Sequence, residues 1–108
     1  MGDNIYLGET LQLSAAFLDA RQLAVEPDVG SVKVTVYDPA GVVKVNNQTG
    51  EQDPTALNTF KYWYDLASDA TPGIWLHKWL ATITTPDRVW KVVERKEFLV
   101  QTPSGEDP

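Results

Sequence analysis

The chain offers catalysis very little. Its 108 residues contain no cysteine and a single histidine, His77. Thiolate nucleophiles, thiolate metal sites and disulfide frameworks are excluded outright. A Ser-His-Asp arrangement would have to bring His77 to Ser14, Ser31, Ser68 or Ser104 and to a carboxylate, and no nucleophile-elbow sequence surrounds these serines. His77 therefore reads as a strand histidine partly covered by aromatic neighbours and bonded to backbone or water. Asp19, Asp28, Asp65, Asp69 and Asp87 stand near turns, where aspartate bonds its own backbone. They read as turn formers rather than as a glycosidase pair or a weak calcium site, and no EF-hand spacing exists. There is no glycine-rich phosphate loop and no pair of His or Cys at metal-ligand spacing. The expectation is a protein with no catalytic residues, no cofactor and no metal. Asn47-Gln48-Thr49 matches the glycosylation sequon but reads as coincidence in a polar stretch.

The residues that can do something else are the aromatics and the strand that carries two of them. Thr71-Pro72-Gly73 forces a turn, and the residues from Ile74 to Thr84 have strand composition. At period two, Trp75, His77, Trp79, Ala81 and Ile83 share one face, and Ile74, Leu76, Lys78, Leu80 and Thr82 share the other. Both faces are largely apolar, so one covers the core and the other calls for a second cover such as a partner protein. Trp75 and Trp79 are assigned to the core, since each buried Trp removes ~150–250 Å² from water. Trp63, Ile74, Leu76 and Leu80 are the candidate interface residues, with aromatic anchoring assigned to Trp63.

Charge narrows the partners. The formal net charge of −6 disfavours nucleic acid and anionic membranes, both of which ask for a basic patch. The one local cluster of cations, Arg88, Lys91, Arg95 and Lys96, is diluted by Glu94 and Glu97 and reads as a solvated strand face. No basic leader precedes the first apolar run and no stretch reaches the ~20 apolar residues of a membrane span, so synthesis in the cytoplasm is expected.

The elements that must position these residues are strands. Ile5-Tyr6-Leu7 reads as a short edge strand. Thr10 onward alternates with Leu11, Leu13, Ala15 and Phe17 inward, and Asp19 to Gln22 turns the chain. Leu23 to Val29 is a connection broken by Pro27. Ser31 to Tyr37 places Val32, Val34 and Val36 inward, Asp38-Pro39-Ala40-Gly41 forms a type I turn, and Val42 to Val45 returns as a hairpin partner. Asn46 to Leu57 is polar and reads as the longest loop. Thr59 to Leu66 places Phe60, Tyr62, Tyr64 and Leu66 on one face and Lys61, Trp63 and Asp65 on the other. Thr85-Pro86-Asp87-Arg88 turns into a last strand, Val89 to Val100. There Glu94 and Lys96 interrupt the apolar parity of Trp90, Val92, Phe98 and Val100, which predicts a bulge or a run past the end of the core. The segment 101–108 reads as a flexible tail following a domain that spans 1–100.

Seven to eight short strands with no helix specify an all-β sandwich of immunoglobulin-like type with antiparallel strands. The order of elements resembles macroglobulin-type and related bacterial immunoglobulin-like domains, a pattern also common in small phage virion proteins. The resemblance is carried by Leu7 to Leu13, Val34 to Gly41, Phe60 to Leu66, Asp69 to Trp75 and Glu97 to Val100. Such domains serve as spacers, adhesion modules and capsid or tail ornaments. Two departures from the pattern stand out: His77 replaces the usual aliphatic residue, and Leu76 and Leu80 replace outward polar ones. The resemblance implies a non-enzymatic virion component, a capsid-decorating, neck or tail protein. It would assemble with other virion proteins or with itself as a homo-oligomer, without nucleic acid or membrane. The alternative expectation is a carbohydrate- or cell-surface-binding module that stacks sugars on outward aromatics.

Overall fold

The computed structural model describes residues 5–19, 21–28 and 30–101. Eight strands follow in order: β1 (Ile5–Tyr6), β2 (Thr10–Ala16), β3 (Lys33–Tyr37), β4 (Val43–Thr49), β5 (Glu51–Asp53), β6 (Ala56–Asp65), β7 (Gly73–Thr84) and β8 (Val89–Gln101). They form a five-stranded sheet in the order β1-β8-β7-β3-β4 and a three-stranded sheet in the order β2-β6-β5. The fold is the expected all-β, sandwich-like one. Every pairing is antiparallel except β1 with β8, which is parallel. The segment expected to be a flexible tail falls, beyond Gln101, outside the described residues.

The alternating apolar residues account for the core between the sheets. Leu11, Leu13, Ala15 and Phe17 from the β2 segment and Phe60 and Leu66 from the β6 segment face Val34, Val36, Trp75, Trp79 and Val100 from the larger sheet, all buried. Trp75 and Trp79 are fully covered, as their parity on β7 requires. The indole N–H of Trp75 donates to the Thr71 carbonyl at 2.8 Å, so the largest apolar group at that end carries no unpaired donor.

Two turns are built alike. Asp38 Oδ1 accepts from the amides of Ala40 and Val42, both at 2.9 Å, and Asp38 exchanges backbone bonds with Gly41 and Val42. Asp19 Oδ1 accepts in the same way from Arg21 (2.8 Å) and Leu23 (3.0 Å), with backbone bonds to Gln22 and Leu23. The fourth residue lies in the left-handed region in both, Gly41 at φ 86° and Gln22 at φ 68°. The backbone N–H donors hold the Asp19 carboxyl below its ordinary pKa.

Two expectations fail. Asn46 to Leu57 is not a long loop: β4 runs on to Thr49, β5 follows at once, and β6 starts at Ala56. The polar residues of β4 are mostly exposed along an outermost strand, where burial does not demand apolar side chains. Between β4 and β5 the chain crosses from one sheet to the other at Gly50, whose amide donates to Val32 at 3.0 Å. A Cβ there would lie 2.8 Å from the Trp79 ring and 3.3 Å from Val32, so only glycine passes between the layers. The expected bulge in the last strand is also absent. β8 pairs with β7 in unbroken register from Gly73–Val100 to Thr84–Val89. Glu94 and Lys96 point inward at the side of the sandwich where the sheets gape, and water reaches them there.

Candidate interaction surface

β7 lies inside the larger sheet, flanked by β3 and β8, and its register assembles the outer face of that sheet pair by pair. Ile74 lies beside Leu99, and Leu76 between Tyr37 and Glu97. Lys78 lies between Thr35 and Arg95, Leu80 between Lys33 and Val93, and Thr82 beside Lys91. Val43 of β4 lies beside Tyr37 and extends the apolar row. Nothing among the described residues covers this face. Ile74 is 51 % and Leu80 39 % exposed, while Leu76 is half-buried between its neighbours. The result is an apolar patch of Ile74, Leu76, Leu99, Tyr37 and Val43, and a smaller one of Leu80 and Val93, with charge between them.

That charge is of one sign. Lys33, Lys78, Lys91 and Arg95 share this face with a single carboxylate, Glu97, on a chain whose net charge is −6. Lys78 Nζ sits 5.7 Å from the centre of the Tyr37 ring, and Lys33 Nζ donates to Thr49 Oγ1 at 2.8 Å. The sequence scatters these cations, and strand pairing gathers them. Folding the chain back at Pro86-Asp87 already aligns Lys91 and Arg95 with Thr82 and Lys78, which is the signal that could have found them.

Of the four candidate interface residues, Ile74, Leu76 and Leu80 come together here. Trp63 does not join them. It lies on β6 opposite Gln12, on the outer face of the three-stranded sheet, and is 56 % exposed. Its strand neighbours on that face are Lys61 and Asp65 and no second aromatic. Trp63 is on a different sheet from the outward-pointing Tyr37 and Tyr6.

His77 points the other way. It is 5 % exposed and its Nδ1 accepts the indole N–H of Trp79 at 2.8 Å, so a neutral ring carries its proton on Nε2. Phe98 packs 5.8 Å away, centre to centre. Burial, and then the Lys96 ammonium, push the imidazole down to about 4. His77 thus has the aromatic cover expected of it, with an indole donor in place of backbone or water. It forms part of the floor of a groove of about 350 Å³ between β2 and β8, where Leu11, Leu13, Lys96 and Phe98 line the walls. No serine or carboxylate bonds His77 among the described residues.

Of the aspartates near turns, Asp19 bonds its own turn as expected, whereas Asp28 and Asp65 bond residues far along the chain. Asp28 accepts from the Thr84 amide at 3.1 Å and its hydroxyl at 2.6 Å, and Asp65 from the Thr10 hydroxyl at 2.6 Å. No group of three or more potential metal ligands occurs among the described residues. Among the described residues no helix is long and apolar enough to cross a membrane. No family model matches the chain, and neither a curated protein nor a solved structure matches it.

Proposed function

We propose that this chain is a non-enzymatic interaction module that docks, through the outer face of its five-stranded sheet, onto an apolar and acidic protein surface within a larger assembly. The observation that carries the reading is the outward set Ile74, Leu76 and Leu80, exposed at Ile74 and Leu80 and half-buried at Leu76, on a strand whose opposite side is buried. A sheet face with water as its only neighbour is ordinarily polar, and contiguous apolar area on it marks a contact site. The cations around it supply the preferred sign of partner and speed its approach. The immunoglobulin-like character of the sandwich and a place in a phage virion, as a capsid, neck or tail component, are the finer form of the proposal and draw on the resemblance in element order alone.

The test is a chain carrying Leu76→Ser and Leu80→Ser. It should melt within a few degrees of the native protein, and association beyond two copies, read by light scattering beside the native chain, should be lost. Unchanged assembly would count against the face. The sugar-binding alternative draws less support, because a stacking row needs neighbouring outward aromatics and Trp63 has none on its sheet. A shift of tryptophan emission on adding a glycan would revive it.

A further inference from the structure

The larger sheet has a second unsatisfied feature, at its edge. β8 is 13 residues long and pairs with β7 along its length, but on its other side β1 covers only Val100 and Gln101. From Val89 to Leu99 no strand lies along that edge among the described residues. The direction of its hydrogen-bonding groups is fixed by the bonds at its two ends. Thr85 and Arg88 exchange backbone bonds of 2.9 and 3.3 Å across the hairpin, and the Gln101 carbonyl accepts from Leu7 on the β1 side at 3.2 Å. Successive strand residues alternate, so the even-numbered residues from Trp90 bond β7. The odd-numbered ones from Val89 to Glu97 present N–H and C=O to the open side, and Leu99 its N–H, since the parallel register of β1 sets the Ile5 N–H on the Leu99 carbonyl.

Of the other outer strands, β2 is unblunted but has seven residues against thirteen, and the remaining three are interrupted or very short. β4 carries register shifts and a left-handed Asn47 at φ 56°, and β1 and β5 have two and three residues. β8 has no proline, no glycine and no register shift. Its sequence also reads well against itself in reverse. We propose that two copies of this chain pair edge to edge through β8, antiparallel about a two-fold axis at Glu94, so that their five-stranded sheets become one continuous sheet. In this register the edge from Lys91 to Glu97 is fully bonded and β1 is left in place. Val89 faces the second copy's Leu99, and Trp90 faces its Phe98. Lys91 faces Glu97, so opposite charges meet on the outer side twice per dimer. On the inner side Glu94 meets its own copy across the axis, with the second copy's Lys96 on the diagonal to neutralise it. Shifting the register by two residues in one direction sets Lys91 against Arg95, and in the other drives the pairing into Val100, which β1 holds.

The proposal rests on the backbone edge of β8 and not on the docking face, although the side chains of Lys91 and Glu97 lie on that face too, and the experiment separates the two. Sedimentation of the native chain over a concentration series should show a monomer–dimer equilibrium that Leu76→Ser with Leu80→Ser leaves in place. Lys91→Glu alone and Glu97→Lys alone should each raise the dissociation constant about tenfold, and the two together should restore it. Val93→Pro removes an amide from the open edge and none from the β7 ladder, so it should abolish the dimer in a folded chain. Hydrogen exchange gives a second reading: the amides of Lys91, Val93, Arg95 and Glu97 should be slowed in the dimer, whereas those of Val92, Glu94 and Lys96 are slow in both states. A chain that stays monomeric throughout, or a dimer in which the double charge reversal does not rescue either single one, would overturn the pairing.

Discussion

Both sides of β7 carry large apolar residues, and they have opposite fates. Trp75, Trp79, Ala81 and Ile83 are sealed between the sheets, while Ile74, Leu76 and Leu80 look out past Lys78. Hydrophobicity alone therefore does not decide burial in this molecule. Shape does: the inward side carries two indoles whose N–H groups both find acceptors, and the outward side carries branched aliphatics with cations spaced between them. The first side holds the fold together, and the second is held ready by it.

The contrast breaks most violently at Trp79. Trp79→Ala should cost ~3–5 kcal/mol, because it empties the centre of the core and strips His77 Nδ1 of its donor; a chemical denaturation midpoint measures it. Gly50→Ala attacks the same ring from the other direction. The added methyl cannot fit at 2.8 Å from Trp79, and a loss of ~1–3 kcal/mol is expected in the same assay.

His77 makes the inward side sensitive to acid. Its folded pKa of about 4 lies below the ordinary 6.5, so the unfolded chain binds the proton more readily. The stability that the neutral ring allows is complete above pH 6.5 and drains away as pH falls towards 4. On the order of 2 kcal/mol is expected across that window, given that groove water screens part of the penalty. His77→Leu should flatten the melting temperature between pH 6.5 and 4.5, and an unchanged slope would assign the acid sensitivity to other groups.

The outward side should respond least. Leu76→Ser with Leu80→Ser is expected to change folding stability by ~1 kcal/mol or less, in thermal melts, while removing the association that the same residues are proposed to drive. If that pair cost as much as Trp79→Ala, the two sides of β7 would not differ in kind.

Much of the fold was legible in the residues and some was not. Alternation reported β2, β3, β6 and β7 with the correct inward residues, and Asp38-Pro39-Ala40-Gly41 and Thr85 to Arg88 reported their turns, because each signal lies within a few residues of its cause. Asn46 to Leu57 misled, because an outermost strand can be polar without losing its pairing. Glu94 and Lys96 suggested a bulge because parity assumes a closed core, and this sandwich is open along β8. Parity also says which side of its own strand Trp63 takes but not which sheet that strand joins. Only pairing across the chain separates Trp63 from Leu76 and Leu80, and only pairing gathers Lys33, Lys78, Lys91 and Arg95 on one face.

The parallel contact of β1 with β8 sets how the molecule bears load. Tension drawing Ile5 and Gln101 apart along their strands slides one strand lengthwise over the other. The backbone bonds joining β1 to Leu99 and Gln101 are then strained together instead of one after another. A pull transmitted along the chain therefore meets a small clasp before it reaches the core.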